Sequence, residues 1–252
     1  MVTATLTVIV AILLLIAPAA MAQTPAGSIS AVAGAVSIQR AGHTIPATYG
    51  TAIVVGDRIV TGADGRVTVT LSDSSQLEVT ESSTLVVDQN TLSPTGTRVS
   101  TKVTLLGGLV RSIVNPTATP PNFEVHTPNA VASARGSSAD VGYQNGVARK
   151  EFKDCLEFTD VADYKGDWEV TNPTNPGAPP VELHEGQKTT VACGLAPLPA
   201  TSITAAGIGA GVIAAITAGV VGGGTLIGLA AAGEFGGTGS NNPEHRPKSP
   251  SD

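Results

Sequence analysis

The strongest constraint on the fold of this chain is a two-residue alternation between apolar and polar side chains. Val67, Val69 and Leu71 alternate with threonines, and short polar turns then lead into further alternating stretches at 77–79 and 85–87. A period of two interrupted by closely spaced turns indicates antiparallel strands, and no window of this region has a convincing helical period. The sequence therefore predicts an all-β single domain of short antiparallel strands, sandwich- or roll-like, with a core of Val, Leu and Ile.

Composition narrows the possible functions. The chain has 29 Gly and 17 Pro in 252 residues, only 3% aromatic residues and a formal net charge of −6. Few aromatics and an acidic balance argue against nucleic-acid binding. Four scattered His and two Cys do not form a four-ligand zinc site.

No nucleophile, zinc-protease or phosphate-loop motif is present. We predict a noncatalytic protein without cofactor or metal. A paired-carboxylate hydrolase is the catalytic alternative, but a single Trp leaves little for a saccharide cleft.

The N-terminus has the pattern of an export signal. An apolar, uncharged stretch runs from Val8 to Ala20, and Ala20-Met21-Ala22 has the small-x-small form that signal peptidase reads. We predict a signal peptide over 1–22, and therefore a periplasmic or otherwise extracytoplasmic protein. Residues 1–7 contain no Lys or Arg, so the alternative is an uncleaved N-terminal anchor.

A second apolar segment lies near the C-terminus, at 201–233. Residues 203–233 contain only Gly, Ala, Ile, Val, Leu and Thr, which is long enough to cross a bilayer as a helix. Pairs of glycines four residues apart would allow such helices to self-associate. The alternative is a flexible linker, because Gly222-Gly223-Gly224 interrupts any helix. We predict a membrane anchor, followed by a disordered tail at 234–252.

An ordered set of short motifs between 27 and 148 resembles the FecR-like domain of periplasmic sensor and regulator proteins. The motifs are Gly34-x-Val36-x-Ile38-x-Arg40, Gly56-Asp57-Arg58-Ile59-x-Thr61-Gly62, Gly65-x-Val67-x-Val69-x-Leu71-x-Asp73-x-Ser75, Leu105-x-Gly107-Gly108-Leu109-Val110, Phe123-Glu124-Val125-His126-Thr127-Pro128-Asn129-Ala130 and Arg135-Gly136-Ser137. The family usually has Arg-Gly-Thr at the last position. The resemblance implies a FecR-like β-domain over 23–148.

The motif residues have both a structural and a ligand-facing interpretation. The residues concerned are Gly56, Asp57, Thr61, Gly62, Thr127, Pro128, Arg135, Gly136 and Ser137. Gly56 offers a positive φ and Asp57 a turn-capping oxygen, so we favour a turn there over ligand contact. Arg135 follows an apolar run, and we predict a partly buried guanidinium bonded to backbone carbonyls or to a carboxylate such as Asp57 or Asp140. The functional alternative is that Arg135 and Ser137 receive a carboxylate or phosphate.

Residues 149–200 form an acidic extension. Five acidic residues lie between Asp154 and Asp167, without the spacing of a calcium loop, so we predict a solvated acidic face rather than a cation site. Cys155 and Cys193 are the only thiols, and behind an export signal an even count favours a disulfide.

Two noncatalytic functions compete. The first is an envelope β-module that binds a protein partner or an envelope polymer and is anchored by 203–233. The second is implied by the resemblance: FecR-like regulators receive a signal from an outer-membrane receptor and pass it to a cytoplasmic sigma factor. Those regulators carry a cytoplasmic domain ahead of a transmembrane helix, whereas here the export signal begins at Met1. From the sequence we therefore rank envelope binding first and signalling second.

Overall fold

A computed structural model describes residues 24–117, 122–134 and 138–203. The predicted signal peptide at 1–22, the motif Arg135-Gly136-Ser137, the apolar segment from residue 204 onward and the tail at 234–252 lie outside the described residues. The described residues form strands, turns and irregular segments, and none of them is in a helix. Within this part of the chain there is accordingly no helix of the length and apolarity that a membrane span requires.

The described residues form 17 strands. They are β1 Gly27–Ala33, β2 Val36–Arg40, β3 His43–Pro46, β4 Ala52–Ile53, β5 Arg58–Thr61, β6 Arg66–Leu71, β7 Gln76–Val79, β8 Thr84–Leu92, β9 Arg98–Ile113, β10 Phe123–His126, β11 Val131–Ala134, β12 Ser138–Asn145, β13 Glu157–Lys165, β14 Asp167–Thr171, β15 Val181–His184, β16 Gln187–Ala192 and β17 Thr201–Ser202.

These strands join into one mixed sheet that forms two layers. The first layer has the order β4-β1-β6-β7-β9-β12-β13-β16-β17, and the second has the order β3-β2-β5-β8-β9-β10-β11-β14-β15. Strand β9 belongs to both layers: its first part pairs with β8 and β10, and its last part with β7 and β12.

The change of partner along β9 occurs at a glycine pair. Gly108 has φ +85°, and a Cβ on it would lie 2.1 Å from Ser83 Oγ. Only glycine fits so close to the neighbouring turn. The 16-residue strand can therefore leave one layer and continue in the other.

The all-β prediction is confirmed, and one part of it is corrected. The strands are not all short and antiparallel, because β9 is long and pairs with β10 in parallel. Two-residue alternation detects the strands themselves, but the direction of a neighbour is decided by the long connection that brings it back.

The core lies between the layers and is aliphatic, as the alternation predicts. In β6, Val67, Val69 and Leu71 are buried and the threonines between them are half-buried. Both layers contribute to one continuous cluster, which includes Ile29 and Val161 from the first layer and Ile38, Leu85 and Trp168 from the second. Each such side chain contributes about 1.5 to 3 kcal/mol when fully buried.

Candidate functional site

The Gly56-Asp57 motif forms a tight turn between β4 and β5. Gly56 has φ +93°, and Asp57 is completely buried. Asp57 Oδ2 accepts a hydrogen bond from the backbone N–H of Val54 at 2.9 Å. Its two carboxylate oxygens also accept bonds from Arg40 Nε and Nη2, at 2.7 and 2.6 Å. The Arg40 guanidinium reaches Ala52 O as well, at 2.7 Å, and so connects β2, β4 and the turn.

The electrostatics of this turn are those of a paired buried carboxylate. Hydrogen bonds to Asp57 raise the pKa of Arg40, while partial burial of the guanidinium acts in the opposite direction. A bidentate arginine satisfies the charge of a carboxylate that has no contact with water. The hydrogen bonds just described for the Asp57 carboxylate are therefore all made within the fold.

Thr61 and Gly62 occupy the end of β5 against the next turn. Thr61 Oγ1 donates to Thr80 O at 2.6 Å and accepts from the N–H of Ser83 at 2.8 Å. Gly62 N donates to Ala35 O at 2.7 Å, and a Cβ on Gly62 would lie 3.1 Å from the Ala35 side chain. The motif holds two turns together at close range.

The Thr127-Pro128-Asn129 motif forms the turn between β10 and β11 and contacts the extension. The Thr127 hydroxyl lies 2.7 Å from the Thr159 hydroxyl, which donates to Asn129 Oδ1 at 2.5 Å. Asn129 Nδ2 donates to Val191 O at 3.1 Å. Thr127, Asn129 and Thr159 are buried, while Pro128 is exposed. This hydrogen-bond network ties the second layer to β13 and β16 of the first.

The two motif regions do not form one site. Strands β5 and β10 belong to the same layer, but β8 and β9 lie between them. Three strand spacings amount to about 14 Å. The third region, Arg135-Gly136-Ser137, lies outside the described residues. The two carboxylates that the sequence offers as partners for Arg135 each have another arginine: Asp57 has Arg40, and Asp140 has Arg111.

Asp140 belongs to a second charged cluster, on the outer face of the first layer. Arg111 binds it through Nε and Nη2 at 2.8 and 3.0 Å, and Tyr164 donates its hydroxyl at 2.9 Å. The Arg111 guanidinium also lies over the Tyr164 ring, 4.9 Å from its centroid. The hydrogen bonds to Asp140 raise the pKa of Arg111, and burial raises the pKa of Tyr164.

The predicted disulfide is confirmed. Cys155 and Cys193 are bonded, with their Cα atoms 5.9 Å apart. The bridge packs in a small cluster with Phe152 and Phe158, and Cys193 N donates to Glu157 O at 2.9 Å. It therefore joins the start of β13 to the residue that follows β16.

The expectation of a solvated acidic face is wrong for two members of the acidic stretch. Asp160 and Asp163 are buried: Asp160 lies against Arg149 and Thr190, and Asp163 faces the core between the layers. Asp160 accepts hydrogen bonds from Arg149 and from the Thr190 hydroxyl, at 3.0 and 2.6 Å through Oδ1. Burial raises the pKa of Asp163 to about 6, and one of its oxygens, Oδ2, has no hydrogen-bond partner.

A buried ion pair joins Arg98 to Asp73, and the sequence patterns do not predict it. Arg98 Nη1 bonds Asp73 Oδ2 and also donates to Ser75 Oγ at 2.9 Å, while Nε donates to Asn122 Oδ1 at 2.8 Å. The guanidinium also lies 5.6 Å from the centroid of the Phe123 ring. Asp73-x-Ser75 was recognised as a motif, but no local signal identifies an arginine 25 residues later as its partner.

The buried charged and sulfur-containing side chains of the described residues are engaged in contacts that stabilise the fold. Their buried aspartates bind arginines or backbone amides, and both cysteines are in the disulfide. His126 and His184 pair with Glu124 and Asp167, and in the described ranges no group of three or more potential ligands could hold a metal ion.

Comparisons with known proteins show a similarity to one family. The family described as FecR protein matches residues 57–151, so the matched stretch begins at Asp57 and leaves the earlier Gly34 motif outside. No curated protein matches the sequence.

Two crystal structures, at 2.50 and 1.65 Å resolution, are similar to the chain; both are of a protein described as a "putative anti-sigma factor" from Parabacteroides distasonis ATCC 8503. Each is 19% identical, with a TM-score of 0.43, over 57% of this chain and 59% of that chain. The chain thus spans less than two thirds of the protein it matches. Residues 57–151 of this chain are thus similar to the FecR protein family, over a stretch that contains all the motifs given above except the Gly34 motif and Gly56.

Proposed function

We propose that this chain is a noncatalytic, extracytoplasmic component of FecR-type signal transduction that recognises a partner protein in the cell envelope. The observation that carries the proposal is the FecR domain at 57–151. The FecR family is typically noncatalytic. Because the family match supports signalling more than binding alone, we reverse the order in which the sequence analysis ranked the two functions.

The compartment is supported by the disulfide. A bridge between Cys155 and Cys193, together with a FecR domain, fits a domain outside the cytoplasm. The signal peptide at 1–22 and the membrane anchor at 203–233 belong to the same proposal. N-terminal sequencing of the envelope-localised protein should begin at Gln23, and a chain ending at Ala200 should lose its resistance to carbonate extraction.

A partner would meet a rigid surface. The hydrogen bonds from Thr127 and Asn129 to β13 and β16 join the FecR domain to the extension, and core residues of both parts pack in one cluster, so together they form one packed body. Large apolar side chains are exposed at separate places on this body: Tyr49 at 80%, Val99 at 53% and Leu195 at 52%. Tyrosine is enriched among the residues that contribute most to protein interfaces, so Tyr49, on the turn before β4, is the first candidate anchor.

The experiment combines crosslinking with transcription. A photoreactive phenylalanine analogue is placed at Tyr49, Val99 or Leu195 of the full chain in its native host, with exposed Lys153 as the matched control position. We expect at least one apolar position to crosslink an envelope protein that Lys153 does not. Deletion of the gene should change the transcripts of a sigma-factor regulon, and the wild-type chain should restore them.

The two functions predict different outcomes. A protein crosslink with no change in any transcript after deletion would support an envelope binding module and reject signalling. Crosslinks to polymer alone would reject a protein partner. Tyr49→Ser in the same assay tests whether the anchor at that turn is needed, since Tyr49 has no role in the core.

A further inference from the structure

A buried carboxylate without a full set of partners lies where the chain crosses from one layer to the other. Asp163 is near the end of β13, and the chain turns at Gly166 into β14 of the other layer. The side chain of Asp163 is 0% exposed. Its Oδ1 accepts a bond from Lys165 N at 2.9 Å, but Oδ2 has no partner. An unsatisfied buried charge is costly and requires an explanation.

The backbone directs this side chain inward through a β-bulge. Ala139 pairs with Asp163 and Ser138 with Lys165, so Tyr164 is the extra residue between two pairs. Bulges turn side chains away from their regular positions and are frequent next to functional sites. Tyr164 points to the outer face, where it donates to Asp140, while Asp163 points to the core side.

The core row that contains Asp163 offers no cation to neutralise it. In register across the first layer, the neighbours of Asp163 are Ala139 and then Ser112, whose buried Oγ is also without a partner. Trp168, two residues after the crossing turn, likewise has a buried Nε1 without a partner. This end of the core therefore has several polar atoms without a hydrogen-bond partner, and among the described residues Asp163 has no ion pair with an arginine or lysine.

The titratable groups around the crossing turn act mostly against that charge. Asp167 on β14 and Glu185 on the β15–β16 turn raise the pKa of Asp163, and His184 on β15 lowers it by a smaller amount. Lys165 on β13 contacts Asp163 through its backbone N–H. Lys188 lies on β16, where it pairs with Ala162, the residue before Asp163. On the opposite side, β12 presents Ala139.

A second titratable group lies on the adjacent hairpin. His184 Nδ1 is 2.7 Å from Asp167 Oδ1, a pair that bridges β14 and β15. Protonation of His184 strengthens this pair, and the bond to Asp167 raises the pKa of His184. Gly186, two residues later, donates its N–H to Asp163 O at 3.0 Å, so the hairpin and the crossing turn are connected through backbone.

We propose that the junction of β13, β14 and the β15–β16 turn is a pH-sensitive clamp, closed when Asp163 is protonated and loosened when it is ionised. Protonation of Asp163 removes the buried charge, and protonation of His184 completes its ion pair with Asp167. Both protonations therefore close the junction at mildly acidic pH. The inference is independent of the proposed signalling function, because it concerns the free energy of a local opening of the fold.

The direction of the pH effect follows from the raised pKa of Asp163. The pKa of Asp163 is raised to about 6, so the closed junction holds its proton at a pH where an open, solvated Asp163 releases it. The equilibrium constant for opening should therefore rise with pH, by about tenfold between pH 5 and pH 7. The raised pKa of His184 acts in the same direction as pH rises through neutrality.

The test is amide hydrogen exchange of the full chain with its disulfide intact, corrected for the intrinsic pH dependence of exchange. The amides to follow are those of Lys165 and Gly186, which bond Asp163. We expect their protection to fall about tenfold from pH 5 to pH 7. In Asp163→Asn most of this fall should disappear, and His184→Gln should remove the remainder.

A matched control lies on the same strand. Asp160 is buried but bound to Arg149, so Asp160→Asn should lower protection at every pH and leave the fall between pH 5 and pH 7 in place. If Asp163→Asn keeps the full pH dependence of the wild type, the proposal is wrong. If that variant does not fold, carbon-13 NMR of the wild-type carboxyls decides: a titration of Asp163 near pH 4 rejects the clamp, and one near pH 6 supports it.

Discussion

Removing either member of the Arg98–Asp73 pair should destabilise the fold more than any surface change of equal charge. Both side chains are nearly inaccessible, at 3% and 4% exposure. Arg98→Met leaves Asp73 with only the two hydrogen bonds from Ser75, at 3.0 Å from N and 2.8 Å from Oγ. It also leaves Asn115 O without its bond from Nη2. Breaking a buried pair on one side costs about 3 to 5 kcal/mol.

The pair of variants separates the cost of the lost contact from the cost of the orphaned charge. Arg98→Met and Asp73→Asn should each lower the free energy of unfolding by about 3 to 5 kcal/mol. The double variant should cost less than the sum by about 0.5 to 3 kcal/mol, because it leaves neither charge buried alone. In a domain of this size a loss of 3 to 5 kcal/mol lowers Tm by about 6 to 20 °C.

Trp168 is the natural probe for the measurement. It is the only Trp in the chain, it is fully buried, and it packs edge-on against Phe123 with ring centroids 6.4 Å apart. Urea unfolding followed by its fluorescence reports the free energy directly. The matched control is Arg66→Met, since Arg66 pairs with Glu81 at the surface, where a pair contributes about 0 to 1 kcal/mol. Equal losses for Arg98→Met and Arg66→Met would refute the reasoning.

Three further changes test other parts of the fold. Replacing Cys155 and Cys193 by Ala opens a loop with a sequence separation of 38 and should cost about 3 to 4 kcal/mol; unfolding at the same urea concentration with and without reductant would contradict this. Asp57→Ala removes the acceptor of both Arg40 and the turn, so we expect a loss of about 1 to 3 kcal/mol by the same fluorescence assay, because the Val54 N–H loses its partner while the partly exposed Arg40 can be hydrated. Thr159→Val removes a buried hydroxyl and should cost about 1 to 3 kcal/mol, whereas Thr159→Ser, which keeps it, should cost clearly less; a larger loss in the Ser variant would argue against the network.

Local sequence patterns predicted the parts of this fold that depend on neighbouring residues. The alternation at Val67, Val69 and Leu71 is a property of a single strand with one buried face, and it was read correctly. The disulfide was predicted because two Cys behind an export signal leave one pairing. These inferences need no knowledge of which strands become neighbours.

The parts that were missed depend on pairings between distant residues. Burial of Asp160 depends on Arg149 and on Thr190 of β16, a strand that begins only at Gln187, and burial of Asp163 depends on the second layer. Likewise, β9 pairs with strands that precede and follow it, and one of them is parallel. An acidic residue in an alternating strand looks solvated until the residues that pack over its face are known.

Asp163 differs from the other buried aspartates in its hydrogen-bond partners, and this difference is the basis of the pH sensitivity proposed above. Asp57, Asp73, Asp140 and Asp160 each bind an arginine, so they fix strands in place. Asp163 binds only a backbone amide, so its charge is opposed by the fold. Its strand β13 pairs with β12, and the next strand, β14, pairs with β11. Since the chain passes from β11 to β12 through residues 135–137, a loosened junction would act on the two strands that border the Arg-Gly-Ser motif. If the proposed clamp operates, the pairings of β13 with β12 and of β14 with β11 are the route by which protonation of Asp163 would act on residues 57–151.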